Sequence, residues 1–397
     1  MTGTTPSLDT TSVAHDAGAM ANYADSHSVV RISAKRFSAS PWSRHYADDS
    51  SVFGVYGGRL YPLSLGADPV ADYWHLRTKV GLFDVPEKPI EISGPDAERF
   101  LNALLTRDIG KVPAGKARYA LACDDAGRIL MDGVVIRWSE DRFWYVLADG
   151  DFLGWMRAQA AGLDVEVRDP HVWVLQIQGP LSLEVLDAVC DAPASEQLAY
   201  FAARLTRVGG QEVLITRTGW TGELGFEIYA GPDVDHDALW AHVMERGAAY
   251  DLRCLSLECM GIRRIEAGIL DNGTDMDPSL TPYDVGLGAF VDLAKESFIG
   301  RDALAGSDTG NRLTGIVGPR APRPGESLLI DNREAARVRA GAWSPTLEGG
   351  IGYALYLEPP GADEHPLVSA VDGSTFTPHP LPFFDPEKRL ARGLPLD

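Results

Sequence analysis

The spacing of apolar residues predicts alternating helices and strands along most of the chain. In Pro69–Val80, apolar residues recur at helical spacing, and Gly81 then interrupts the helix. Three further apolar runs predict successive antiparallel strands joined by short polar turns, at Tyr119–Cys123, Ile129–Trp138 and Phe143–Ala148. Mixed helices and strands with antiparallel pairing are therefore expected in this half.

The same alternation of predicted helices and strands continues after Tyr200, and the pattern changes near the C-terminus. It predicts strands at Ala202–Val208, Glu212–Thr218 and Gly225–Tyr229, and helices at Val234–Glu245 and Ser256–Ala267. The polar stretch Gly306–Asn311 is typical of a linker. Beyond it, short strands separated by Gly and Pro turns predict a small all-β barrel, at Arg312–Val317, Ser327–Ile330, Glu334–Ala342, Ile351–Tyr356 and Leu367–Val371.

These segments predict three regions in the chain of 397 residues. Residues 1–47 are rich in Ser, Thr, Ala and Asp with little periodicity, which predicts a mobile N-terminal arm. Residues 48–305 are expected to form the main region, and residues 311–397 a C-terminal β-barrel domain. The predicted fold class is α+β with a separate β domain.

Charge and composition exclude several function classes. The formal net charge is −20 and Lys and Arg form no large cluster, so we expect no nucleic-acid binding, and an anionic ligand must be met by a few local cations. No apolar run is long enough for a membrane span, and the N-terminus lacks the features of a secretory signal. Four scattered cysteines indicate thiols in a reducing, cytoplasmic compartment, and no group has zinc spacing.

The motifs of nucleotide-binding and hydrolase folds are absent. Six longer sequence segments, here called phrases, are the remaining candidates for functional motifs. They are Arg77–Val85, Gly127–Asp132, Leu175–Pro180, Arg217–Tyr229, Arg263–Gly268 and Asp292–Gly300. In this order and spacing they resemble the glycine-cleavage T-protein (aminomethyltransferase) family, from about residue 56 to the C-terminus. The resemblance implies a three-lobed cloverleaf, with two interleaved lobes in residues 48–305 and tetrahydrofolate bound in a central funnel.

Two acidic residues match the family's central positions. The resemblance implies that Glu227 anchors the pterin, whose 2-amino-4-oxo edge presents two N–H donors that one carboxylate can accept. The alternative is a strand Glu that faces water. Asp132 matches the carboxylate held to act beside the folate N5 nitrogen, where it can orient the nitrogen or stabilise developing positive charge. The alternative is a turn or capping Asp, and the preceding family Asp is Met131 here.

Three further residues match positions near the folate in the family. Arg264 lies on a helix close to the folate by resemblance, or else forms a buried ion pair with Glu266 or another acid. Tyr119 is expected to line the pterin slot or to be an ordinary core residue. Asp149 stands where the family usually has Asn near the pterin.

Departures from the family phrases indicate the demethylase branch, which includes the tetrahydrofolate-dependent dimethylsulfoniopropionate demethylase. Pro86–Lys88 replaces the family's S-H-M, and Trp220 replaces a Tyr. In that branch an aromatic pair near the substrate falls on Trp220 and Tyr229, which can hold a methylated cation by cation–π attraction. An aryl ether needs a general acid, for which Tyr229 and Tyr61 are candidates. Core packing is the alternative for Trp220.

The leading hypothesis is a tetrahydrofolate-dependent methyltransferase, or demethylase, that moves a methyl group from a small S-, N- or O-methyl donor to N5. The first alternative is an aminomethyltransferase of the glycine-cleavage type, which works with a lipoylated carrier protein. The alternative from another class is a non-catalytic folate-binding protein. Relatives of that class carry a Cys in a K-G-C phrase, and Tyr283–Phe298 contains no Cys.

Overall fold

The computed structural model describes residues 34–147, 151–194, 198–360 and 365–396. The helices are α1 (Ser43–Tyr46), α2 (Pro69–Thr78), α3 (Ala97–Leu104), α4 (Phe152–Gln159), α5 (Ser182–Val189), α6 (His236–Gly247), α7 (Leu257–Glu266) and α8 (Arg301–Ala305). Within these described ranges, no helix is both long and apolar enough to cross a membrane.

The strands of the first two-thirds are β1 (Val52–Tyr56), β2 (Arg59–Ser64), β3 (Gly81–Val85), β4 (Lys88–Ser93), β5 (Lys116–Cys123), β6 (Ile129–Arg137), β7 (Arg142–Leu147), β8 (Glu166–Arg168), β9 (Trp173–Gln178), β10 (Ala203–Val208), β11 (Gln211–Thr216), β12 (Gly225–Ala230) and β13 (Arg253–Cys254). The remaining strands are β14 (Leu313–Gly318), β15 (Ser327–Ile330), β16 (Arg333–Ser344), β17 (Gly349–Tyr356), β18 (Leu367–Ser369) and β19 (Thr375–His379).

Two sheets pack against each other through their inner faces. The five-stranded sheet has the order β5-β6-β7-β4-β8, and the six-stranded sheet has the order β10-β11-β12-β9-β3-β13. Helices α3 and α4 cover the outer face of the first sheet, and α5 and α6 cover that of the second. Apolar residues of both inner faces, such as Trp144 and Tyr229, share one buried cluster. Polar residues on these inner faces are therefore held between the sheets.

The third lobe is a closed barrel with the strand order β14-β17-β16-β15-β18-β19. Helix α7 connects it to the sheets, because Cys259 and Met260 pack between the sheets while Ile265 packs against Tyr353 of the barrel. The predicted α+β class with a C-terminal β-barrel is confirmed. The exact domain boundaries stay predictions.

The N-terminal part differs from the simple arm that composition predicts. Residues 1–33 of the predicted arm lie outside the described residues. Further along, Trp42 is fully buried in the core of the six-stranded sheet, and its indole Nε1 donates to the His236 carbonyl at 2.8 Å. The β1–β2 hairpin was not predicted, although its turn residues Gly57 and Gly58 both have positive φ, as tight hairpin turns require.

Candidate functional site

Glu227 is buried on the inner face of the six-stranded sheet. It lies on β12, directly opposite Thr216 of β11 and Gln176 of β9 in the strand register. Its Oε1 accepts a hydrogen bond from Gln176 Nε2 at 3.0 Å. Its side chain is not directed to open water, since the residue is only 7% exposed. The strand pairing therefore positions this carboxylate between the two sheets.

Three hydroxyl groups hold the other oxygen of Glu227. Its Oε2 accepts from Thr218 Oγ1 at 2.6 Å, from Tyr229 Oη at 2.6 Å and from Thr216 Oγ1 at 3.1 Å. Burial raises the pKa of Glu227, and these hydrogen bonds oppose that rise. Tyr229 is thus brought to Glu227, and its hydroxyl group is occupied in orienting this carboxylate.

A second buried carboxyl group lies beside Glu227 and was not singled out as a site residue from the sequence. Glu87 follows β3, and its Oε1 accepts from the same Gln176 Nε2 at 2.9 Å. Burial, and then the charge of Glu227, raise the pKa of Glu87 to about 8. The only sequence signal for this residue is its place in the Pro86–Lys88 departure from the family phrase.

Asp132 lies on the inner face of the five-stranded sheet, on β6. Tyr119 of β5 donates its hydroxyl group to Asp132 Oδ2 at 2.9 Å. Burial raises the pKa of Asp132 to about 6, against hydrogen bonds from the side chains of Tyr119 and Asn272 that lower it. Burial also raises the pKa of Tyr119 well above its ordinary value, so that this phenol stays a proton donor. The structure therefore brings Tyr119 and Asp132 together.

The loop that follows α7 surrounds Asp132 with polar groups that the sequence did not indicate. Asp271 raises the pKa of Asp132 through its charge, whereas Asn272 lowers it through a hydrogen bond. Tyr56 donates to Asp271 Oδ1 at 3.3 Å, which fixes the loop to the β1–β2 hairpin. These residues are far from Asp132 in the sequence, and no recognised motif links them to it.

Arg264 forms an ion pair with Asp275. Its guanidinium carbon also lies 5.3 Å from the ring centroid of Trp220. Glu266, the partner considered from the sequence, pairs with the neighbouring Arg263 instead. The buried charge of Arg264 is therefore neutralised within the protein, and one face of Trp220 already meets a cation.

The remaining sequence candidates lie at different places. Trp220 is partly buried in the loop before β12, two residues after the Thr218 that donates to Glu227. Tyr61 lies on β2, and its ring centroid is 6.0 Å from that of Tyr56. Because Tyr56 donates to Asp271, Tyr61 lies on the side of the Asp271 loop. Asp149 lies outside the described residues.

The carboxylates of Glu227 and Asp132 make no direct contact among the residues described, and Arg264 of α7 contacts residues near each of them. On the Glu227 side, Thr218 donates to Glu227, and Trp220, two residues further along the chain, has its ring next to Arg264. Arg264 pairs with Asp275, which accepts from the Asp271 backbone N–H at 2.8 Å. The Asp271 loop then reaches Asp132. Trp220, near Glu227, and the Asp271 loop, near Asp132, thus both belong to the surroundings of Arg264.

A surface groove of about 390 Å³ opens next to Tyr119, the hydrogen-bond partner of Asp132. Arg107, Lys111, Arg118 and Phe290 are among its lining residues. Arg107 donates to the Tyr119 carbonyl at 2.9 Å, and the Tyr119 and Phe290 rings are 4.8 Å apart. The lining also contains Asp108 and Asp292, which both pair with Lys111. In the described part of the chain neither Arg107 nor Arg118 forms an ion pair, so these two cations remain for an anionic ligand.

The chain is similar to known proteins in sequence and in structure. The family model described as the GCVT N-terminal domain matches residues 46–295. The protein named aminomethyltransferase from Clostridium botulinum (strain Loch Maree / Type A3) is 32% identical over 326 residues, which cover 77% of this chain and 88% of that protein. The protein of the same name from Streptomyces coelicolor is 36% identical over 319 residues, which cover 77% of this chain and 85% of that protein.

The fold is similar to the crystal structure of glycine cleavage system aminomethyltransferase T from Bartonella henselae. The TM-score is 0.79 at 24% sequence identity, and the match covers 88% of this chain and 98% of that chain. At this identity the similarity shows the fold alone. It agrees with the arrangement of two packed sheets and a barrel.

Proposed function

This chain belongs to the GCVT (aminomethyltransferase) family, and from that premise we propose that it transfers a one-carbon group from an aminomethyl donor to tetrahydrofolate. The observation that carries the proposal is the buried Glu227 carboxylate, held between Gln176 and Thr216 on the inner sheet face. The names of the curated relatives favour an aminomethyl donor over the methyl donor of the demethylase hypothesis.

The residues present fit the two ends of a tetrahydrofolate molecule. Glu227 Oε1 receives one described hydrogen bond and keeps acceptor capacity, and the buried Gln176 Oε1 beside it has no partner in the described structure. N–H donors on the pterin edge would complete these bonds. The groove with Arg107 and Arg118 supplies cations for the carboxylates of the glutamyl tail, in a chain of net charge −20.

Tetrahydrofolate supplies a nucleophilic nitrogen, N5, and the protein supplies orientation and charge. Tyr119 holds the Asp132 carboxylate through Oδ2. Above about pH 6 this carboxylate is ionised, so it stabilises positive charge that develops on a nearby nitrogen.

Methyl transfer from a sulfonium or ammonium donor is the second candidate. Trp220 favours it, because a partly buried indole replaces the family Tyr next to the site. Two contacts weigh against an aromatic cage for a cation. Arg264 already lies over Trp220, so that a second cation there meets a like charge. The Tyr229 hydroxyl group is bound to Glu227.

Product analysis separates the candidates. The protein is incubated with tetrahydrofolate and either an aminomethyl-lipoyl carrier protein or a panel of methyl donors, and the folates are identified by mass spectrometry. We expect 5,10-methylenetetrahydrofolate and ammonia from the carrier. 5-Methyltetrahydrofolate from any methyl donor, with no product from the carrier, would replace the proposal with the demethylase. Folate binding without turnover of any donor would instead indicate a non-catalytic folate-binding protein.

A further inference from the structure

Two buried acceptor atoms next to Glu227 have no hydrogen-bond partner among the residues that the structure describes. They are Glu87 Oε2 and Gln176 Oε1, and both are inaccessible to solvent. An unpaired buried acceptor costs roughly 1–3 kcal/mol, so proteins seldom keep two side by side without a function. Their position on the inner sheet face points to a ligand that brings hydrogen-bond donors.

The two carboxyl groups form one acceptor cluster. Glu87 Oε1 and Glu227 Oε1 each accept from Gln176 Nε2, at 2.9 Å and 3.0 Å, so these two oxygen atoms are at most about 6 Å apart. Gln176 thereby uses both of its N–H donors on the pair and leaves its own oxygen free. Once Glu87 is ionised, above its pKa of about 8, the cluster as a whole offers acceptors and lacks donors.

The cation near Glu87 does not neutralise its carboxylate. Arg59 Nη1 donates to the backbone carbonyl of Glu87 at 2.8 Å, and Arg59 Nη2 donates to the Val172 carbonyl at 2.8 Å. The guanidinium carbon lies 4.0 Å from the Trp173 ring centroid. Arg59 is therefore committed to backbone and aromatic contacts, and the carboxylate pair has no direct cationic partner within the described ranges.

We infer that Glu87 is a second pterin-binding residue, which accepts a hydrogen bond from the pterin 2-amino group beside Glu227. This inference rests on the proposed function. The three hydroxyl donors already on Glu227 Oε2 explain why Glu227 alone leaves a pterin donor unmatched. The 2-amino group carries two N–H donors, so it can serve Glu87 and a neighbouring acceptor together.

The test is a binding cycle between the Glu87 side chain and the 2-amino group. Affinities are measured anaerobically by equilibrium dialysis for tetrahydrofolate and for its 2-desamino-2-methyl analogue. The proteins are the full-length wild type, Glu87→Gln and the control Glu166→Gln, whose side chain is exposed on β8. Gln has nearly the shape of Glu and removes the charge, so the fold is expected to persist, which circular dichroism checks.

At about pH 9, above the pKa of about 8 at which Glu87 ionises, we expect Glu87→Gln to weaken tetrahydrofolate binding by about 10- to 100-fold, the usual range for a hydrogen bond to a charged group. Its affinity for the analogue is expected to change less than about 3-fold, and the control variant to bind both ligands as the wild type does. Equal losses for the two ligands, or no loss for tetrahydrofolate, overturn the role of Glu87 while the proposed function stands. Wild-type protein that binds both ligands equally also overturns it. Wild-type protein that does not bind tetrahydrofolate at all overturns the proposed function and this inference together.

Discussion

Replacement of Asp132 by Asn is expected to separate catalysis from stability. The amide keeps the size of the side chain and an oxygen that can accept the Tyr119 hydroxyl group, and it removes only the charge. Burial raises the pKa of Asp132 from 3.8 to about 6. This difference corresponds to about 3 kcal/mol in the free energy of unfolding, which is lost when the buried carboxyl group ionises.

The sign of this effect fixes the pH dependence of stability. A carboxyl group whose pKa is raised on folding favours the folded state below its unfolded pKa, and this contribution is lost as the pH rises through about 6. At about pH 7.5 the neutral amide of the Asp132→Asn variant avoids the cost of ionisation. This variant is therefore expected to unfold at a urea concentration no lower than wild type. The difference in free energy of unfolding should shrink as the pH falls to about 5.

Turnover, unlike stability, should decrease in the Asp132→Asn variant. Loss of a charged group at the reacting nitrogen is expected to lower kcat about 100-fold or more, with little change in the Kd of tetrahydrofolate. In wild type, kcat should fall below about pH 6, where Asp132 is protonated, and the variant should lose this dependence. Single-turnover rates and folate affinities, measured on both sides of that pH, give both quantities. Equal losses in kcat and in folate affinity, or full activity in the variant, would refute a catalytic role for Asp132.

Three other substitutions test further residues. Glu227→Ala should raise the Kd of tetrahydrofolate by at least about 10-fold, because a charge-assisted hydrogen bond is lost. The control Glu212→Ala, on the exposed side of β11, should leave this Kd unchanged in the same dialysis assay. Equal affinities of the two variants would show that Glu227 does not anchor the pterin. At low salt, Arg118→Ala should weaken the binding of a folate triglutamate about 2- to 5-fold more than the binding of the monoglutamate. An equal loss for both ligands would show that the glutamyl tail does not bind in this groove. Glu223→Ala removes an acceptor 2.8 Å from the buried Arg263 and should lower the free energy of unfolding by about 3–5 kcal/mol in urea titration. A loss below about 1 kcal/mol would show that Glu266 alone satisfies that arginine.

Most regular elements were predictable because local pattern and tertiary packing agree. Helix α7 begins and ends within a residue of its predicted range, since its apolar positions face both the sheets and the barrel. The barrel strand Ser327–Ile330 has the predicted bounds. The β1–β2 hairpin was missed because its strands alternate weakly, although the adjacent Gly57 and Gly58 were a usable turn signal.

The candidate site was less accessible from the sequence, because its contacts join distant segments. The pairing of Glu227 with Thr216 and Gln176 depends on strand register, which a single sequence does not specify. Glu87 stands between a proline and a lysine and is typical of an exposed turn. In the fold its carboxyl group is turned inward, where Gln176 of β9 donates to it at 2.9 Å.

The partner of Arg264 illustrates the same limit. Glu266 was the nearest acid in the sequence, but it points toward Arg263, three residues before it on α7. The loop after α7 folds back and supplies Asp275 instead. Pairing of buried charges is decided by that fold-back, and local spacing alone does not reveal it.

We propose that the pterin lies between Glu227 and Asp132. A crystal structure of the complex with 5-formyltetrahydrofolate, a stable analogue, tests it directly. We expect the 2-amino-4-oxo edge within hydrogen-bond distance of Glu227, and N5 on the side of Asp132. A pterin bound outside the space between the two sheets, or one whose N5 is separated from Asp132 by the protein core, would contradict it.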